Sequence, residues 1–183
     1  MKGIEVAFTT NVSIRVINGN DGSYKDYFYH NKATKSLLLG MWKFLRGDIN
    51  NSNANDYAPN WLEVGAGSST PLFTDTHLQT PLYEDGTQAD HYQSGTIIFA
   101  SPQRGKDYSE DTNSITFGVK FYLESEDVAG TQADATPINE MGLYSGGDAP
   151  KILLARVVFD EPIEKHENDF VDILWEISMT AVN

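Results

Sequence analysis

The sequence predicts one mainly β domain spanning residues 1–183, an antiparallel β-sandwich with one short α-helix and long loops. Several runs alternate apolar and polar residues with the two-residue period of a half-buried strand, one segment has helical spacing, and the connections are long and polar. A chain of 183 residues can bury a core of its own. Because cysteine is absent, that core has to hold the fold without disulfides.

The first two strand patterns lie close together near the start of the chain. Ile4–Phe8 and Val12–Val16 both carry apolar residues at every second position. Only Thr9–Asn11 separates them, a connection short enough for a hairpin. The sequence therefore predicts two paired strands, followed by a polar loop over Asn18–Asp26.

One segment, Ala33–Arg46, has the three-and-four spacing of a helix that buries one face. Asn31 or Thr34 suits its N-cap, and Gly47 directly after it suits its C-terminal end. The apolar stripe expected to face the core consists of Leu37, Leu38, Met41, Trp42 and Leu45.

The remaining strand patterns lie in the last two thirds of the chain. Two of them have a clear polar face opposite an apolar one. These two are Ile115–Leu123 and Val171–Met179. The shorter candidates are Trp61–Val64, Thr96–Ala100, Ile138–Tyr144 and Ile152–Phe159. The long loops between strands are rich in Asn, Asp, Gly and Ser, and loops of this length are uncommon unless they contact a partner.

Charge and hydropathy exclude two classes of partner. The net charge of −13 is concentrated in the second half of the chain and repels nucleic acid, which binds through lysine and arginine. The apolar runs are far shorter than the roughly 20 residues of a membrane helix. We therefore expect a protein that binds neither nucleic acid nor a membrane.

Motifs of catalytic and metal sites are missing. The four histidines have no paired zinc-site spacing, a Gly-x-Ser-x-Gly elbow is absent, and cysteine chemistry is impossible. The turn Gly65–Thr70 lacks the Gly-Lys-Ser/Thr ending of a phosphate-binding loop. The sequence predicts a non-enzyme with no cofactor and no metal, although the oxygen-rich runs Asn18–Asp21 and Glu124–Asp127 leave calcium open.

Two groups of residues are candidates for a specific role. Glu140 and Arg156 lie on successive predicted strands, where they either form an ion pair or both face water. Several aromatic side chains are candidates for stacking on a sugar or a host protein, or else belong to the core. They are Tyr24, Tyr27, Tyr29, Tyr57 and Trp61, with Trp42 on the helix.

A series of short motifs, taken in order, resembles phage virion structural proteins of the tail, neck or baseplate. The resemblance covers roughly Ala33–Met179. It starts with the helix and continues through a glycine turn and an Asp-Thr-x-Leu segment to three strand motifs and a short Pro-Ile-Glu-Lys piece. The segments after the helix are Gly65-Ala66-Gly67, Asp75-Thr76-His77-Leu78, Ile138–Tyr144, Leu153–Val157, Pro162–Lys165 and Asp172–Ser178. The chain differs from the pattern at Pro81–Glu84, where relatives often have Glu-x-x-Arg.

The resemblance implies a non-enzymatic virion component that is synthesised in the host cytoplasm. Its implied partners are other virion proteins and copies of itself, in a homo-oligomer. The alternative is a host-surface or glycan-binding module of a phage adhesion apparatus, using the aromatic residues named above.

Overall fold

The computed structural model describes residues 5–48, 59–82, 93–94, 96–97, 108–109, 114–124, 135–145 and 152–182. Within these ranges the chain forms ten antiparallel β-strands and one α-helix, which confirms the predicted mainly β fold. The elements are β1 (Glu5–Ile17), β2 (Tyr24–Ala33), α1 (Lys35–Leu45), β3 (Pro59–Gly65), β4 (Gln93–Ser94), β5 (Thr96–Ile97), β6 (Tyr108–Ser109), β7 (Ser114–Leu123), β8 (Thr136–Ser145), β9 (Ile152–Lys165) and β10 (Phe170–Val182).

The long strands form two layers that share β2. One layer has the order β2-β1-β10-β7 and the other has the order β3-β8-β9. The last residues of β2 join the layers, since Lys32 pairs with Arg156 and Ala33 with Ala155 on β9. On the far side β3 and β4 lie against β7. The sandwich is therefore nearly closed into a barrel, a form that leaves few free strand edges.

β1 is a single strand, so the predicted hairpin at Thr9–Asn11 is wrong. It pairs with β10 without interruption from Glu5 to Ile17. Thr10 continues the buried face, and its hydroxyl donates to the backbone oxygen of Asn31 at 3.2 Å. A buried polar side chain with a partner on the next strand lets a strand continue.

The strand β2 was not predicted, and its first residues fall in the expected loop Asn18–Asp26. The turn is shorter, with Gly22 at φ 73° and the amide of Asn18 donating to the oxygen of Ser23 at 2.8 Å. Aromatic residues occur on both faces of β2, with Tyr27 and Tyr29 partly buried and Phe28 exposed. The alternation of hydrophobicity along this strand is therefore weak.

The helix ends as the sequence predicts. Gly47 has φ 77°, and the amide of Asp48 donates to the oxygen of Lys43 at 2.9 Å. This hydrogen bond across a left-handed residue is the Schellman arrangement, which satisfies a carbonyl of the last turn.

The start of the helix is tied to the second layer through Thr34, one of the two predicted caps. Its amide donates to the oxygen of Leu154 at 2.8 Å, and its hydroxyl donates to the oxygen of Leu153 at 2.6 Å. Lys35 begins the helix directly afterwards. The helix is therefore held against the first residues of β9.

The core lies between the two layers. The described apolar residues of the two clear alternating patterns point inward, except that Met179 is half-buried, and Trp175 is the largest fully buried side chain. The side chains of Ile115 and Phe117 lie outside the described residues. The predicted strand Thr96–Ala100 is described only as Thr96–Ile97, and its remainder lies outside the described residues. Buried residues from both layers are Val119, Phe121, Leu123, Val171, Ile173 and Trp175, with Leu62, Leu143, Leu154 and Val157 opposite.

Candidate functional site

Glu140, in the middle of β8, is fully buried and accepts hydrogen bonds from three backbone amides. The donors are the amides of Gly67 at 3.1 Å, Gln79 at 3.2 Å and Thr80 at 2.8 Å. A carboxylate that loses water on burial has to find donors in the protein. All three donors belong to the connection that follows β3, so Glu140 holds that connection on the sheet.

Arg156 lies on β9, where it pairs with Gly142 of β8, and it completes an ionic cluster around Glu140. Its Nη2 lies 2.7 Å from Oε2 of Glu140, and its Nη1 lies 2.8 Å from Oδ2 of Asp75. Nη2 also donates to the hydroxyl of Ser69 at 3.2 Å. Burial alone would lower the pKa of Arg156, but the hydrogen bonds that it donates to Asp75 and Glu140 outweigh burial and raise that pKa above its ordinary value.

Two glycines allow the connection to approach this cluster. A Cβ atom on Gly67 would overlap Oε1 of Glu140 and come within 2.6 Å of the side chain of Gln79. A Cβ atom on Gly65 would come within 2.7 Å of the backbone oxygen of Thr80. These close approaches give the Gly65-Ala66-Gly67 turn a packing role.

A second buried carboxylate, Glu63 on β3, lies beside the first. The hydroxyl of Tyr144 donates a hydrogen bond to Glu63 and accepts one from the amide of Leu78 at 3.1 Å. Burial raises the pKa of Glu63 to about 7, the Tyr144 hydrogen bond opposes that rise, and the charge of Glu140 adds to it. Glu63 and Tyr144 thus hold the same connection at a second point.

The cluster is built to hold a loop, because each of its described polar groups is directed at another part of the chain. Two open clefts formed by described residues, of about 550 and 580 Å³, are not lined by Glu63, Asp75, Glu140 or Arg156. A catalytic acid or base has to reach a substrate. The arrangement therefore fastens residues 65–82 onto β8 and β9.

Two of the aromatic candidates, Tyr27 and Tyr29, turn toward the second layer. Their rings stack with centroids 6.3 Å apart, and Tyr29 packs on Phe159 at 4.6 Å. Both contact the core. They belong mainly to the packing between β2 and β9.

The other aromatic candidates are dispersed. Tyr24 is 63% exposed on the outer face of β2, while Trp61 is half-buried on β3. Tyr57 lies outside the described residues. Of the four described candidates, Tyr24 and Tyr27 line one cleft, and neither Tyr29 nor Trp61 is part of its lining.

An exposed apolar surface lies on the helix instead, and we call it the helix patch. The backbone oxygen of Phe73 accepts the amide of Lys35 at 2.7 Å, which places residues 72–73 beside the first turn of α1. The large apolar side chains exposed in this neighbourhood, each by 37–56%, are Leu38, Leu39, Trp42, Leu72 and Phe73. Large apolar side chains exposed in the same neighbourhood of a folded domain indicate a contact surface.

The prediction that Leu38 and Trp42 face the core is wrong, whereas Leu37 is buried and Met41 is half-buried. The side chain of Leu45, the last predicted member of the stripe, lies outside the described residues. Leu38, Leu39 and Trp42 have a second three-and-four spacing, which places them together on the outward face. The sequence could have indicated this exposed face, because the helix is apolar on two sides and only one side can pack on the core.

No group of three or more histidine and carboxylate side chains in the described part of the chain is close enough to hold a metal ion. No helix among the described residues is long and apolar enough to cross a membrane. Comparison of the chain with protein-family models, curated proteins and solved structures found no match.

Proposed function

We propose that the protein is a non-enzymatic structural component of a bacteriophage virion, associated with the tail, neck or baseplate. The observation that carries the proposal is the helix patch, an exposed apolar surface mounted on a rigid β framework. A surface of this kind is costly in water and is stable when it is covered by another subunit.

The ionic cluster supports the same proposal. The motifs that resemble virion proteins are far apart in the chain, yet they meet around Glu140 and Arg156. Gly67 belongs to the glycine turn and Asp75 to the Asp-Thr-x-Leu segment that follows it. Glu140 and Arg156 belong to two of the strand motifs. Their shared role is to fix a surface loop, and a fixed loop next to the helix patch suits permanent assembly better than turnover of a substrate.

The proposal predicts that the chain is present at fixed stoichiometry in purified particles of the phage that encodes it. The measurement is quantitative mass spectrometry of particles, with an abundant non-structural phage protein as the control for contamination. An electron-microscopy map should then place the fold in the tail, neck or baseplate. Presence in infected cells together with absence from particles would contradict the proposal.

A host-surface role remains the second candidate because of the outer face of β2. Tyr24 and Phe28 are 63% and 57% exposed on that face, and the guanidinium of Arg15 lies over the Tyr24 ring at 4.3 Å while pairing with Asp26. Exposed rings beside paired charges are suited to stacking on a sugar and bonding its hydroxyls.

The glycan-binding alternative predicts a signal on a glycan array that is lost in a Tyr24→Ala, Phe28→Ala double variant. Tyr122→Ala, which removes another exposed ring from the same layer, is the matched control and should keep the signal. Binding that is absent from the unmodified chain, or unchanged in the double variant, would remove this candidate.

A further inference from the structure

The charges around the helix patch differ in sign from those of the chain as a whole. The segment Lys35–Leu45 contains no acidic residue, and Lys35 is exposed at its first turn. Arg46 stands over the ring of Trp42 at 4.3 Å and pairs with Asp48 at 3.4 Å. With Lys35, Lys43 and Arg46 against the single carboxylate of Asp48, the border of the helix patch is net basic in a protein of net charge −13.

A surface of the opposite character lies between β2 and β9. Among the described residues these strands pair only at Lys32–Ala33, and beyond that point they diverge around a cleft of about 550 Å³, which we call the β2–β9 cleft. Tyr27 and Pro162 contribute apolar surface to it, while Glu161 and Glu164 contribute exposed carboxylates. Its lining also includes Lys25, which lies over the Tyr27 ring at 4.6 Å, and the pair His166 and Asp169.

The two surfaces lie toward opposite ends of β9. Thr34 ties the helix to Leu153 and Leu154 at the start of that strand, and Glu161 lies seven residues farther along it. At about 3.3 Å per residue the separation is roughly 23 Å. One copy of the chain cannot bring its own helix patch into its own cleft, whereas two copies can.

The sign of the charges also selects the kind of contact. Two helix patches facing each other about a twofold axis would bring Lys35 and Arg46 of one copy toward the same cations of the other. A patch facing the β2–β9 cleft brings the cations to Glu161 and Glu164, and like charges across an interface are penalised while opposite charges steer docking. A contact between two different surfaces is head-to-tail.

We propose that the helix patch of one copy docks into the β2–β9 cleft of the next copy, with Trp42 entering the cleft, so that the chain assembles head to tail. This inference rests on the proposed structural function and gives the subunit contact that such a function requires. Each copy then uses both surfaces once, and the assembly is a ring if the rotation between copies closes.

The test measures assembly of the purified full-length chain by native mass spectrometry and by light scattering across a concentration series. The unmodified chain should form oligomers whose dissociation constant rises with salt. Trp42→Ser should weaken assembly by about tenfold or more, as expected for a central aromatic anchor. Glu161→Lys with Glu164→Lys should weaken it comparably, and Tyr122→Ala, outside both surfaces, should leave it unchanged.

Mixing the two defective proteins identifies the contact. The Trp42→Ser copy keeps an intact cleft and the Glu161→Lys, Glu164→Lys copy keeps an intact patch, so the mixture should form a heterodimer that stops at two subunits. Circular dichroism of each variant checks that it is folded. Full assembly of the cleft variant alone would show a patch-to-patch contact, and a strictly monomeric unmodified chain would show no contact, so either result overturns the inference.

The outcome is separable from that of the virion proposal. A chain that is monomeric in solution but present in particles contradicts the head-to-tail contact alone. A chain that assembles through these surfaces but is absent from particles contradicts the virion role alone.

Discussion

Arg156→Ala should lower the free energy of unfolding by about 3–5 kcal/mol, because it leaves two carboxylates without their shared cation in a buried site. Glu140 is fully buried and Asp75 is mostly buried, so water cannot replace the guanidinium without opening the loop. The measurement is urea-induced unfolding at neutral pH. Arg156→Met keeps most of the side-chain volume and should still lose most of this stability, which separates the charge from the packing.

The matched control for this prediction is Arg15→Ala. Arg15 also pairs with a carboxylate, Asp26, at 2.6 Å on a neighbouring strand, but both side chains are about half exposed. Exposed pairs contribute little because water solvates the partner that remains. If Arg156→Ala were no more damaging than Arg15→Ala, the cluster would not hold the loop.

Hydrogen exchange gives the same prediction a local readout. The amides of Gly67, Gln79 and Thr80 donate to Glu140 and should exchange faster in the Arg156 variants, because Glu140 is then less firmly positioned. The amides at the centre of β10 should be affected only through the change in global stability.

Glu63 should make the protein less stable as the pH rises from acid to neutral. Its carboxyl has an ordinary value of 4.5 in the unfolded chain, and burial raises its pKa to about 7 in the folded protein. The folded state therefore holds the proton more tightly. The stability that this site contributes is complete below pH 4.5 and is lost as the pH rises through 7, a change of roughly 3 kcal/mol.

The variant that tests this dependence is Glu63→Gln, which keeps an oxygen for the Tyr144 hydroxyl but cannot ionise. It should match the unmodified protein near pH 4.5 and exceed it by roughly 3 kcal/mol above pH 7. Unfolding at a series of pH values, taken as the difference between the two proteins, removes the contribution of Asp21 and Asp26, whose lowered pKa values act in the opposite direction.

Tyr144→Phe should increase the pH dependence of stability, whereas Glu63→Gln should reduce it. The Tyr144 hydroxyl lowers the pKa of Glu63, so its removal should widen the pH range over which stability falls. A difference between Glu63→Gln and the unmodified protein that is the same at every pH would show that the pKa of Glu63 is the same in the folded and unfolded states, and would contradict this prediction.

Elements with one apolar face and one polar face were predictable from the sequence. β7 and β10 alternate, with Leu174 the exception, and Gly47 marks the end of the helix through a backbone angle that other residues rarely adopt. Prediction failed where polarity and position disagree. Thr10 is polar but lies on the buried face of β1, and the aromatic residues of β2 occupy both of its faces.

By itself the sequence determined that the chain folds as an antiparallel β domain with one helix, because periodicity and turn chemistry act between near neighbours. Only the tertiary structure decided which apolar face of α1 is covered, that Glu140 and Arg156 form a buried pair rather than face water, and that residues 65–82 are fastened to both. Gly67 and Glu140 are 73 residues apart, so their contact depends on how the strands are ordered in space. Periodicity defines the faces of an element, but the packing of distant elements decides which face is buried.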